Sequence, residues 1–147
     1  MRRLFYPDPP NCLTSAGLLL LRLAVGAAFV FHGLPKVQNP LGWMGSEAPV
    51  PGILQAAAAV AEFGGGIALV LGVVTRLAAL GIIGVMVGAL ATYHLPQGHP
   101  FVGKPGESSS ELAVVYLAAS VLFLLAGPGR FSVDRCVFGR PAVPERA

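Results

Sequence analysis

The sequence predicts an all-α integral membrane protein, a four-transmembrane-helix bundle with both termini cytoplasmic. Three observations lead there. Charged residues are 12% of the chain, about half the share of a soluble domain, and mean hydropathy is +0.71. Four apolar stretches, residues 16–36, 53–74, 77–95 and 112–127, each approach the roughly 20 residues needed to cross about 30 Å of hydrocarbon. Lys and Arg then sort by side. In a four-pass arrangement Arg2, Arg3, Arg76, Arg130, Arg135, Arg140 and Arg146 fall on one face with Arg22 close to it, and Lys36 and Lys104 mark the other.

The first stretch is read as a retained helix. Arg2 and Arg3 give a basic start, but Pro7, Pro9 and Pro10 interrupt it, and the apolar run is longer than a signal h-region and lacks an A-x-A exit. At 100° per residue Arg22, Phe29, Gly33 and Lys36 share a narrow sector, with His32 beside it. Gly26 and Gly33 would admit a neighbouring helix. Pro40, Pro49 and Pro51 break the following loop, where Trp43 and Met44 suit the headgroup belt.

The second helix carries Glu62 and, just beyond it, Gly64, Gly65 and Gly66. In a membrane such a triplet marks close packing, with a local unwinding as the sharper alternative. The link at residues 72–76 is too short for anything but a tight hairpin, pinned by Arg76. In the third helix Gly84 and Gly88 form a G-x-x-x-G, read as an intramolecular packing face ahead of a homodimer face. The fourth stretch reaches spanning length only if Ser110 and Glu111 form its first turn, and Ser108 and Glu111 stand at capping-box spacing. Past Gly127, scattered Pro, Gly and charge suggest an extended, peripheral tail.

An unpaired charge inside a membrane costs about 3 kcal/mol or more. Glu62 near the middle of one span, with Arg22 and His32 in another, therefore implies a pairing. Two compete: Glu62 with Arg22, whose long stem can rise toward it, or Glu62 with His32. The bland alternative is a structural staple with no chemistry. Against it, His32, Lys36 and His94 gather at one end of the bundle, as groups facing a cavity do. His32, His94 and Glu62 would make a three-ligand metal set only if three helices converged, and Leu-Pro-Gln-Gly between His94 and His99 excludes helical ligation by that pair, so no metal is expected. No Ser–His–Asp set, C-x-x-C pair or phosphate-cradling loop occurs. Cys12 and Cys136 read as free thiols, catalytic residues are not assignable, and the net charge of +3 reads as topology, so no nucleic-acid partner is expected. A basic tail can touch anionic lipid.

The run Arg22, Gly26, Phe29, His32, Gly33, Lys36 strongly resembles the first-helix motif of the DoxX family. Glu62 with Phe63 and Gly66, then Gly72, Thr75 and Arg76, and His94 at the end of the third helix continue the likeness. The resemblance implies a compact four-helix protein of the bacterial inner (plasma) membrane. It divides the chain into a cytoplasmic segment 1–15, a DoxX-like membrane domain 16–131 and a cytoplasmic basic tail 132–147. Family members are linked to quinone-using oxidoreductases and membrane redox complexes. The resemblance thus nominates Arg22, His32, Lys36, Glu62 and His94 as ligand or quinone-binding residues and Gly33, Gly66, Gly72 and Arg76 as motif and structural residues. Phe29, Phe31 and Phe63 would wall a quinone ring. The leading expectation is an accessory, quinone-associated subunit of a redox complex. It would have no intrinsic cofactor and no electron carrier of its own, so a protein partner would supply one, and the chain would not be an enzyme alone. The alternatives are a binding or assembly protein, homo-oligomeric or not, and a small proton-coupled transporter.

Overall fold

The computed structural model describes residues 10–138, so expectations resting on residues 1–9 and 139–147, including Arg2, Arg3, Arg140 and Arg146, lie outside the described residues. Helix α1 spans Cys12–Gln38, α2 Gly52–Leu71 and α3 Thr75–Ala89, the last continuing as a π-helical turn Leu90–His94. Helix α4 spans Glu111–Ala126, and a short α5, Val133–Phe138, follows. The described residues are helical with no strand. Three helices (α1, α2, and α3 with its π turn) are long and apolar enough to cross a membrane. Helix α4 is apolar but only 16 residues, about 24 Å at 1.5 Å per residue.

Helix α1 starts earlier than the sequence suggested because Asn11 caps it, its side chain accepting from the Thr14 N–H at 2.8 Å. Antiparallel α1 and α2 pack most intimately. A Cβ on Gly26 would lie 2.8 Å from the Gly66 carbonyl oxygen, and one on Gly66 2.7 Å from the Val30 nitrogen; Gly33 abuts the Phe63 backbone. In lipid the apolar effect does not drive helices together, so close backbone approach through small residues sets their register. The helix runs unbroken through the glycine triplet; Gly66 packs on α1 and Gly65 meets Ile82 of α3, whereas a Cβ on Gly64 would meet nothing within 4 Å. Gly84 and Gly88 differ: a Cβ on either would meet nothing within 4 Å. The G-x-x-x-G of α3 is therefore not an internal packing face, because Ala78, Ala79, Ile82 and Met86 occupy the buried side of that helix.

The link between α2 and α3 is held from outside. Gly72 closes α2 in the left-handed region at φ 68°, and Val74 adopts φ 42°, a strained angle for a β-branched residue. Asp134 holds this turn, its carboxylate oxygens accepting from the N–H groups of Val74 at 2.7 Å and Thr75 at 2.9 Å. Its own N–H donates to the Gly72 carbonyl at 2.8 Å. Asp134 thus acts as the N-terminal cap that Val74 cannot supply. This corrects the extended, peripheral tail: residues 128–134 fold back onto the hairpin. Arg130 donates to the Pro10 carbonyl at 2.8 Å, so the flank preceding α1 and the segment following α4 meet at the Arg76 end.

The capping box at α4 is also corrected. Ser110, not Ser108, occupies the cap position, and it makes no side-chain cap bond. Its N–H and hydroxyl instead turn to the Pro100 carbonyl, at 3.0 and 3.3 Å, and tie down the preceding loop.

Candidate functional site

Neither pairing foreseen for Glu62 occurs. Lys36 Nζ lies 2.6 Å from Glu62 Oε1. The helix register explains the outcome. Gly26 stands beside Gly66, and Gly33 beside Phe63, which puts Glu62 level with the His32–Lys36 turn. Arg22 is then some three turns away, roughly 15 Å along the axis, beyond the reach of its stem. The Arg22 side chain is wholly buried at the opposite end, packed against Gly72, with Nη2 donating to the Phe131 carbonyl. Arg22 is therefore removed from the polar cluster and belongs to the clamp that holds hairpin and tail. Arg76 reaches α4 at the same end, its guanidinium 3.4 Å from the Leu125 carbonyl.

The other four nominated residues, His32, Lys36, Glu62 and His94, line one cavity of about 190 Å³. Helix α1 supplies Phe29, His32 and Lys36, α2 supplies Glu62, α3 supplies Met86 and Ala89, and α4 closes it with Leu112, Ala113 and Tyr116. One wall is aromatic: Phe29 and Tyr116 have centroids 5.1 Å apart at 60°, and His32 stands 6.4 Å from each. Phe31 points away and is 74% exposed, and Phe63, whose backbone abuts Gly33, does not line the cavity; Tyr116 and Met86 take the places expected of them. A hydroxyl-bearing aromatic a turn inside an apolar helix was the signal that could have found Tyr116.

The Lys36–Glu62 pair is sheltered. The Glu62 side chain is 3% exposed and the Lys36 side chain 21%. Lys36 Nζ sits 4.3 Å from the centroid of the Trp43 ring, a contact that a desolvated cation favours by up to about 2 kcal/mol. Trp43 is itself fixed, its indole N–H donating to the Gln55 carbonyl at 3.0 Å. The buried Gln55 side chain also accepts from the Met44 N–H at 3.0 Å and donates to the Val50 carbonyl at 2.9 Å. Trp43 thus roofs the ion pair, with its N–H taken by the protein backbone. One atom of the pair is left over. Glu62 Oε2 is buried with no hydrogen-bond partner.

His94 reaches the cavity through the π turn. In an uninterrupted α-helix, His94 would point about 140° away from Ala89, five residues before it. The i→i+5 bond from the Leu95 N–H to the Leu90 carbonyl, 2.9 Å, widens that turn. Residues five apart then come much closer to one face, and His94 joins Ala89 and Met86 in lining the cavity. The widening also lets His94 Nδ1 approach His99 Nδ1 to 3.2 Å despite the intervening proline, with Tyr93 edge-on to both rings. Among the described residues no three His, Cys, Asp or Glu side chains converge as a metal site. A larger groove of about 480 Å³ between α1 and α4 near Pro10 is lined by Leu18, Leu21, Leu122 and Leu125 and holds no ionisable group. It offers surface to acyl chains but no chemistry.

The chain is similar to known proteins over most of its length. A Haemophilus influenzae protein described as "Uncharacterized protein" is 31% identical over 123 residues, covering 82% of this chain and 90% of the relative. "Putative oxidoreductase CatD" of Bacillus subtilis is 30% identical over 125 residues, covering 83% and 87%. No solved structure matches. The DoxX family profile matches residues 17–95, a stretch that carries Lys36, Glu62 and His94 together. With its apolar helices in contact with lipid, the chain is a multi-pass membrane protein of the DoxX family.

Proposed function

We propose that this protein is a quinone-associated accessory subunit of a membrane redox complex, and that the cavity around Lys36 and Glu62 is its quinone site. One observation carries the reading: a sheltered ion pair, two imidazoles and an aromatic wall converge on a single small void. Lys36 has three N–H donors, of which Glu62 takes one, and His32 and His94 add ring nitrogens; these can meet the carbonyl oxygens of a quinone. Phe29 and Tyr116 offer faces for a flat ring. Pockets for drug-sized ligands run to roughly 300–1,000 Å³. This smaller void suits a single ring whose tail lies outside it. Helices α1 and α4 touch only sparingly, and exposed Leu112 on that flank gives a tail a way into lipid. A bound quinone supplies two-electron, two-proton redox chemistry; the chain's own residues bind and orient it. The name of the Bacillus subtilis relative, an oxidoreductase, favours the same class.

In this reading α4 completes a four-pass domain over residues 16–131, and the Arg76 end, with Arg130 and Arg135, faces the cytoplasm of a bacterial inner membrane. The segments 1–15 and 132–147 are the cytoplasmic flanks. A protein partner supplies the electron carrier.

Organic extraction and mass spectrometry of the gently purified protein test this. A stoichiometric quinone, lost in Lys36→Met and in Tyr116→Ala, is expected. A protein with no quinone that co-purifies with another membrane protein would move the assignment to assembly.

A further inference from the structure

The leftover oxygen of Glu62 specifies more than the ligand class. Lys36 occupies Oε1 at 2.6 Å, and Oε2 is buried without a partner in a side chain that lines the cavity. A buried acceptor left unsatisfied is unfavourable, more so when it is charged. A quinone has carbonyl oxygens only. It can accept from Lys36 or an imidazole, but it has no proton to offer Glu62. A hydroquinone has two O–H groups, each both donor and acceptor. One can donate to Glu62 Oε2 while Lys36, His32 or His94 meets the other oxygen.

Resting on the quinone-site reading, we infer that the cavity selects the reduced, hydroxyl-bearing form of its ring ligand, with Glu62 as the specificity-determining acceptor. The donor and acceptor inventory leads to this directly. Every other polar group at the cavity can donate: the ammonium of Lys36, the rings of His32 and His94, and the hydroxyl of Tyr116. Glu62 alone, when ionised, can only accept, and Lys36 already occupies one of its two oxygens. Binding the reduced form more tightly raises the reduction potential of the bound couple relative to the free one. A tenfold preference corresponds to about 30 mV for two electrons.

The full-length protein in detergent, kept anaerobic, is titrated with decylubiquinone and separately with decylubiquinol, and the two dissociation constants are compared. The quinol is expected to bind at least tenfold more tightly. The Glu62→Gln variant is the sharper arm. Its amide oxygen can keep the bond from Lys36, which places an NH₂ donor where Oε2 stood, so the preference should shrink or invert toward the quinone. Equal affinities in the parent protein, or tighter quinone, would overturn the inference and leave the quinone site standing. Failure of both forms to bind would overturn the site itself. If Glu62→Gln does not fold, the parent ratio still decides.

Discussion

Lys36 and Glu62 form a sheltered ion pair, 2.6 Å apart beneath the Trp43 ring, while Arg22 Nη2 donates to the Phe131 carbonyl at the other end of α1. Removing one partner of a buried pair typically costs about 3–5 kcal/mol, because the survivor is left uncompensated. With Lys36 one-fifth exposed, Lys36→Met should fall toward the lower end of that range. The Lys36→Met/Glu62→Leu double variant should recover most of the loss. Arg22→Met with Glu62→Leu should instead be additive, within roughly 0.5 kcal/mol. Detergent-titration unfolding of the variants measures both cycles; strong coupling between Arg22 and Glu62 would contradict the register described above.

The hairpin turn offers a paired test. Asp134→Ala removes the acceptor for two N–H groups at the start of α3 and should cost about 1–2 kcal/mol, as loss of a helix cap does. Val74→Gly relieves a positive φ at a half-exposed residue and should leave stability unchanged or raise it by about 1 kcal/mol. Thermal unfolding in detergent reads both. A stable Asp134→Ala would mean that the tail is not part of the fold.

Gly66 and Gly84 should respond oppositely to the same substitution. A methyl on Gly66 meets backbone at 2.7 Å on α1, whereas one on Gly84 meets nothing within 4 Å. Gly66→Ala should lower the unfolding midpoint by several degrees, and Gly84→Ala should leave it unchanged or slightly higher. A sharp loss from Gly84→Ala would reveal a neighbour on that face, and cross-linking would identify it.

The π turn can be removed by deleting Ala91. The shortened helix should fold, because α3 packs through residues before the turn, but His94 would swing off the cavity. Quinol affinity should then fall about tenfold, the worth of one well-placed hydrogen bond, with little change in the unfolding midpoint. Unchanged affinity would remove His94 from the site.

The apolar helices, their approximate limits and the need for a buried pair were legible in the chain itself. Long apolar runs and isolated charges carry costs that hold whatever the topology. The close approach at Gly66 also followed from composition, since small residues are what membrane helices use to approach. Pairing was not legible, because it depends on which residue of α1 stands level with Glu62. That register is set by the seating of Gly26 and Gly33 on α2, a contact between segments roughly thirty to forty residues apart in sequence. The same limit hid Asp134 as the cap of a helix 59 residues earlier, Trp43 as the roof of Lys36, and the turn of His94 into the cavity. Local chemistry determined that this chain would place a carboxylate and a cation inside a membrane; only the packing of α1 on α2 decided that the cation is Lys36 and that one carboxylate oxygen is left to be met.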